Sequence, residues 1–149
     1  MAEAFFENVR VVGIAGAVPS RIVRTDEFLP QVGEKVVQRV KTVTGIQEVR
    51  RSPRRQTASD LGFAAAERLL TEKGIKREEI GAIVNVTEFP DYVAPSTAFI
   101  LHKRLGLSQS CIAFDVNLGC TGYVYGLHIA SSLLQASQQR YVLLVVGDV

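Results

Sequence analysis

The sequence has few of the residues on which metal sites and disulfide frameworks depend. Two cysteines, Cys111 and Cys120, and two histidines occur in 149 residues. The cysteine spacing is not that of a metal site, and no Asp, His and Glu cluster accompanies it, so no metal site is predicted. In the reducing cytoplasm, a disulfide between the two cysteines is not expected.

Long apolar runs and a large net charge are also lacking. No apolar run reaches the length of a membrane span, and the acidic start lacks the basic region of a secretory signal, which favours a cytoplasmic protein without a membrane partner. The formal net charge of +2 is too small to indicate nucleic-acid binding. Gly13 and Gly16 stand alone, with no helix pattern to complete a dinucleotide fingerprint, and no cofactor is predicted.

Strand-type and helix-type segments alternate along the chain, which is 47% hydrophobic and 21% charged. This alternation predicts an α/β fold with a mixed or parallel sheet and helices on both faces. The predicted strands cover 9–19, 82–87, 112–116 and 141–146, with an extended piece at 46–51. The predicted helices cover 34–43, 57–74, 96–106 and 123–136. Helix 123–136 is apolar almost all round and strand 141–146 is continuously apolar, so both are expected to be buried.

Cys120 stands where a strand, a tight turn and a helix follow one another. A thiol in the first turn of a helix feels the positive end of the helix dipole, which favours the thiolate. Its backbone N–H can point at an oxyanion formed on an attacked carbonyl, and Gly119 and Gly122 allow close approach. This is the arrangement of a nucleophile elbow. The alternative is that Cys120 is a small buried hydrophobic residue.

Four arginines in six residues form a local basic patch, Arg50, Arg51, Arg54 and Arg55. One interpretation is a solvated loop, since most charged side chains lie at the surface. The other is recognition of a phosphate or of an acidic partner.

Five segments in this order resemble the N-terminal half of a β-ketoacyl-acyl-carrier-protein synthase III, of the thiolase fold. They are VGIAG at 12–16, TGIQEVRR at 44–51, PSTA at 95–98, FDVNLGCTGY at 114–123 and VVGDV at 145–149. The resemblance covers nearly the whole chain. It implies that 1–149 is an N-terminal thiolase-like half-domain of a homodimeric enzyme, whose C-terminal half is absent here. The chain also ends directly after a predicted buried strand, which is typical of half of a larger fold.

The resemblance assigns roles to several residues. Cys120 matches the cysteine that takes an acyl group from a primer thioester, which then condenses with a malonyl thioester on acyl carrier protein and releases carbon dioxide. Thr44 and Ala94 fall in the substrate-binding set, and Arg50 and Arg51 would meet the carrier protein or a phosphate. The catalytic His and Asn of the family belong to the missing half. His102 and His128, both inside predicted helices, are therefore not predicted to be catalytic, and this chain alone is expected to be inactive.

Two departures from the family pattern concern the substrate. The aromatic residue and the Arg that often hold the coenzyme A adenine are replaced by Arg39 and Val43. This argues against a coenzyme A primer and leaves a carrier-protein-borne primer open. Ala94 stands where the family often has a larger Phe that reaches into the neighbouring subunit's acyl pocket, which predicts acceptance of a longer or bulkier acyl chain.

Two other functions remain open from the sequence. The same acyl-Cys120 could pass its acyl group to an oxygen or nitrogen acceptor without decarboxylation, since fold does not fix function. The chain could instead be a non-catalytic interaction half-domain, with Cys120 in its core.

Overall fold

The computed structural model describes residues 4–137 and 139–149. They form two compact units: the stretch up to Ala17 together with Thr57–Val149, and Val18–Gln56. In chain order, the elements are β1 (Ile22–Arg24), α1 (Leu29–Val32), α2 (Glu34–Thr44), β2 (Glu48–Arg50), α3 (Ala58–Lys73), β3 (Ile80–Val86), α4 (Thr97–Leu105), β4 (Ile112–Val116), α5 (Gly122–Ala136) and β5 (Tyr141–Val146). Short 3-10 turns occupy Thr25–Phe28 and Arg77–Glu79.

The larger unit is built on a three-stranded parallel sheet in the order β4-β3-β5. Its central strand, β3, is buried at every position, as its run of apolar and β-branched residues predicts. Val86, the last residue of β3, pairs with Val116 of β4 and with Val146 of β5. The three strands therefore end level, and the loops that follow them leave the sheet at one edge.

Helices cover both faces of this sheet, so the predicted α/β class is confirmed. On one face, α3 and α4 enclose a core of Leu70, Leu101, Leu105, Ile83 and Leu143. On the other face lies α5, whose glycines approach the strands closely. A Cβ on Gly122 would lie 2.5 Å from Val86, and one on Gly126 would lie 2.8 Å from Leu144.

Local signals in the sequence explain where the helices begin and end. The Thr57 amide donates to the Asp60 carboxylate, 3.0 Å away, at the start of α3. Gly45, Gly74 and Gly106 end α2, α3 and α4 with positive φ angles of 72°, 62° and 63°. These are left-handed conformations that glycine adopts without steric cost.

Three sequence predictions about individual elements are wrong. The stretch 9–19 is not a strand, because no strand of the described chain pairs with it, and at Gly13 it lies against Leu69 and Lys73 of α3. Strand β5 is at an edge of the sheet, and only Leu143 in it is buried. Helix α5 buries Gly122, Gly126 and Ala130, whereas Tyr123, Val124 and Tyr125 in its first turn are exposed.

The smaller unit joins β1 and β2 in an antiparallel ladder, which is separate from the parallel sheet. Val23 and Val37 are its buried apolar residues, and Thr25 donates its hydroxyl to the Ile46 carbonyl at 2.9 Å. The valines of α2 follow the predicted helical period, yet Val36, Val40 and Val43 are exposed. Periodicity identifies an apolar face but does not show whether another element covers it.

Candidate active site

The loops that follow β3, β4 and β5 are joined by backbone hydrogen bonds at the carboxyl edge of the sheet. The Thr87 amide donates to the Val116 carbonyl at 3.2 Å, and the Gly147 amide donates to the Val86 carbonyl at 3.2 Å. These bonds extend the parallel ladders by one residue beyond the strands. In open α/β sheets, this edge is where ligands and reactive groups are found.

Cys120 lies at this edge, in the turn between β4 and α5. The turn is closed by the Gly122 amide, which donates to the Gly119 carbonyl at 2.7 Å. Cys120 therefore precedes the first helical residue by two positions, whereas the sequence placed it in the first helical turn. The hydrogen bond from Gly122 to Gly119 places Cys120 inside the tight turn, and α5 begins at Gly122, which packs closely on Val86.

The two cysteines have different surroundings. Cys120 is exposed, whereas Cys111 is buried, and burial raises the pKa of the Cys111 thiol. The interpretation of Cys120 as a core residue is therefore wrong for this structure, and it is Cys111 that packs as a small hydrophobic residue. An exposed thiol at a strand-to-helix turn is the geometry that a nucleophile needs.

Asp148, just beyond β5, binds the start of the loop that follows β3. Its Oδ1 atom accepts hydrogen bonds from the amides of Glu88 and Phe89, at 2.9 and 3.1 Å, and from the Thr87 hydroxyl. In the sequence, this residue stands out only as part of the VVGDV motif. No local pattern indicates its role, because its partners lie about sixty positions earlier in the chain.

The Glu88 side chain lies against Gly119, the residue before Cys120. A Cβ atom at Gly119 would lie 2.3 Å from Oε1 and 2.8 Å from Oε2 of Glu88. The carboxylate thus occupies the space that a side chain at position 119 would fill. Sequence reasoning missed Glu88, which carried no motif or periodic signal of its own.

The rest of this loop is fixed by two further carboxylates. Asp91 accepts from the Thr57 hydroxyl at 3.0 Å, and Asp115 accepts from the Thr97 and Ala98 amides, both at 2.7 Å. Asp115 therefore satisfies donors at the start of α4. Between these anchors, the loop displays Tyr92, Val93 and the predicted substrate residue Ala94, all of which are exposed.

Three predicted site residues lie in the smaller unit. Thr44 is exposed at the end of α2, where its hydroxyl donates to the Val40 carbonyl at 2.7 Å and accepts from the Ile46 amide at 3.1 Å. Arg50 donates to the carbonyls of Pro19 and Ser20, at 3.5 and 3.1 Å, so its guanidinium holds the chain before β1. Arg51 is exposed.

The two histidines lie away from the Cys120 turn along their helices. His102 Nε2 is 2.9 Å from the Ser108 carbonyl oxygen, and the His128 ring meets the edge of Phe6 with centroids 5.3 Å apart. Within the described residues, no three His, Cys, Asp or Glu side chains are grouped in a way that could hold a metal ion.

Several known proteins are similar to this chain in sequence and in fold. The family model for 3-oxoacyl-[acyl-carrier-protein] synthase III matches residues 114–149, which include the Cys120 turn. A putative 3-oxoacyl-[acyl-carrier-protein] synthase 3 of Campylobacter jejuni is 36% identical over 146 residues, which are 96% of this chain and 41% of that protein. The β-ketoacyl-[acyl-carrier-protein] synthase III of Xylella fastidiosa is 34% identical over 93% of this chain and 42% of its own length.

The resemblance to synthase III is confirmed. The crystal structure of a 3-oxoacyl-(acyl-carrier protein) synthase from Burkholderia xenovorans has a TM-score of 0.85 and 38% identity, over 91% of this chain and 40% of that one. A Xanthomonas campestris OleA structure has a TM-score of 0.87 and 29% identity, over 99% of this chain and 47% of that one. These two structures confirm the predicted thiolase-like fold. The chain spans about two fifths of the length of the curated relatives it matches.

A helix can cross a membrane only if it is long enough and apolar enough. Among the residues that the structure describes, no helix combines the length and the apolar character that crossing a bilayer requires.

Proposed function

We propose that the protein represented by this chain catalyses decarboxylative Claisen condensation of an acyl thioester primer with malonyl-acyl carrier protein, in fatty acid or related biosynthesis. The observation that carries this proposal is the exposed Cys120 in the turn between β4 and α5, within the segment that matches the synthase III family model. Its sulfur would attack the thioester carbonyl, form the acyl-enzyme and release the carrier thiol.

Acylation of Cys120, the first half-reaction, is the step that this chain could support. Acylation requires a thiolate, access for the thioester and an oxyanion donor, and the backbone amide of Cys120 is the predicted donor. Condensation additionally requires groups that promote loss of carbon dioxide, which the family supplies from its C-terminal half. We therefore propose that the chain by itself is acylated slowly and does not condense, and that it acts as a 1–149 half-domain of a homodimeric, cytoplasmic enzyme.

The remaining site residues belong to this proposal. Thr44 and Ala94 would contact the substrate, with the small Ala94 leaving space for a longer acyl chain. Arg51 would meet the acidic carrier protein or its phosphopantetheine phosphate, because its side chain is exposed whereas the Arg50 guanidinium contacts two backbone carbonyls.

Acyl transfer is tested by incubating the chain with acyl thioesters and identifying the acylated peptide by mass spectrometry. We expect an acyl group on Cys120 and none on Cys111, and no acylation in the Cys120→Ala variant. If thioesters of several chain lengths leave Cys120 unmodified, both in this chain and in a longer protein that includes the missing half, the proposed function is wrong. Condensation by the 149-residue chain alone would contradict the expected need for the second half.

A further inference from the structure

A negative charge lies beside the Cys120 turn. The carboxylate of Glu88 is close enough to Gly119 that its Oε1 atom would lie 2.3 Å from a Cβ at that position. Adding the Cβ–Cα bond at Gly119, one Cα–Cα step of about 3.8 Å and the reach from the Cys120 Cα to its sulfur places this carboxylate within roughly 10 Å of any position that the sulfur can adopt. At that distance, two charges still interact at moderate ionic strength.

No cation neutralises this carboxylate within the described part of the chain. Each ion pair found there involves another acidic residue, and no side chain donates a hydrogen bond to Glu88. The neighbouring Asp148 carboxylate is also negative, although its Oδ1 atom already accepts three hydrogen bonds. An anion that approaches Cys120 along this side therefore meets a carboxylate that no cationic side chain of the described residues neutralises.

The position of Glu88 is fixed by its backbone. Its amide donates to Asp148 at 2.9 Å, and the preceding Thr87 is buried and donates to the same carboxylate. The side chain itself is exposed, but it starts from this fixed point and extends over Gly119. The charge is thus held near the nucleophile by the ends of β3 and β5.

We infer that Glu88 is a charge-selecting residue, which favours acylation of Cys120 by thioesters with an uncharged acyl group over those whose acyl group carries a carboxylate. This inference rests on the proposed function, in which a neutral primer and an anionic malonyl group are both presented as thioesters. Only the primer should acylate the cysteine. A fixed carboxylate beside the nucleophile would discriminate between them by Coulomb repulsion.

The test compares alkylation of Cys120 by neutral iodoacetamide and by anionic iodoacetate, followed at the Cys120 peptide by mass spectrometry. The ratio of the two rates is independent of the fraction of thiol that is ionised, because both reagents consume the same thiolate. N-acetylcysteine, measured in parallel, corrects for the intrinsic reactivity of each reagent. Since Cys120 is exposed, both reagents reach it.

In Glu88→Gln, we expect the corrected rate of iodoacetate relative to iodoacetamide to rise by about three- to tenfold, from the loss of one charge at this distance. The matched control is Glu78→Gln, which removes the same charge from an exposed residue before β3, at the opposite edge of the sheet. We expect no change in that control. In the unsubstituted chain, added salt should raise the ratio through screening.

An unchanged ratio in Glu88→Gln, an equal change in both variants, or a ratio insensitive to salt would each overturn the inference. A different result would contradict the proposed function. If Cys120 shows this charge selection towards alkylating reagents but takes no acyl group from pentanoyl or succinyl thioesters of N-acetylcysteamine, the selection holds and acyl transfer does not. Equal acylation by both thioesters would support acyl transfer and contradict the charge selection.

Discussion

Asp148 accepts a hydrogen bond from the buried hydroxyl of Thr87, which ties the end of β5 to the end of β3. The same oxygen accepts the amides of the next two residues. The loop that carries Glu88 towards the Cys120 turn therefore depends on one carboxylate from the other side of the central strand.

Replacing Asp148 by Ala should destabilise the larger unit. The Thr87 hydroxyl and the amides of Glu88 and Phe89 would all lose this charged acceptor, at a cost of about 1–3 kcal/mol in the free energy of unfolding. Denaturant-induced unfolding measures this loss. Asp148→Asn is the matched control, because its amide oxygen remains an acceptor, and we expect a smaller loss. Equal stability of Asp148→Ala and the unsubstituted chain would show that the bond contributes nothing.

Gly126→Ala should also destabilise the chain, although alanine favours helices. A Cβ there would lie 2.8 Å from Leu144 and 3.0 Å from Val86, so α5 would have to move away from the sheet. Overpacking of this kind costs about 1–3 kcal/mol, against a gain in helix propensity of about 1 kcal/mol. Thermal unfolding should therefore show a lower midpoint. At Gly16, where no atom lies within 4 Å of the added Cβ, the same substitution should not lower it.

The Cys120 turn and the contacts of Asp148 and Glu88 differ in how far the sequence could predict them. The turn at Cys120 follows from residues next to one another, since a strand-type run, Asn-Leu-Gly and a helical pattern stand in succession. Asp148 and Glu88 act on residues far from them in the chain, through contacts that exist only once the parallel sheet has aligned the ends of its strands. Local patterns carry no information on such contacts.

The valines of α2 and the outer face of α5 show a second limit. The apolar period of α2 and the nearly all-round apolar character of α5 correctly predicted both helices, but the latter also suggested that α5 would be buried. Coverage depends on what packs against a helix, and besides the sheet α5 contacts the N-terminal stretch at Phe6 and Glu7, which leaves its first turn exposed. Arg50 shows the same limit for charge, because its place among four arginines did not indicate that it binds carbonyls of the chain before β1.

The start of α3 should make stability depend on pH. The hydrogen bond from the Thr57 amide lowers the pKa of Asp60, and Arg104, 2.9 Å away, lowers it further. Because the folded state holds the proton less tightly than the unfolded state, Asp60 contributes stability above its ordinary pKa of about 3.9, and this contribution is lost as pH falls through the lowered value.

The variant Asp60→Asn isolates this effect. It should lower the free energy of unfolding at pH 7, and the difference from the unsubstituted chain should shrink as the pH is reduced towards 2. Urea unfolding at a series of pH values measures both. Since the Asp60 side chain is 39% exposed, solvent screening keeps the effect small. A difference that stays constant with pH would show that the carboxyl charge is not its source.

The two neighbouring arginines should respond differently to substitution, because their side chains have different partners. Arg50→Ala removes the donor to Pro19 and Ser20 and should lower the stability of the smaller unit by about 0.5–1.5 kcal/mol. Arg51→Glu reverses an exposed charge and should leave stability within about 0.5 kcal/mol while weakening binding to an acidic carrier protein. Unfolding and binding titrations on the same two variants separate these effects. If Arg51→Glu binds the carrier protein as tightly as the unsubstituted chain, Arg51 is a solvated surface residue with no part in recognising this partner.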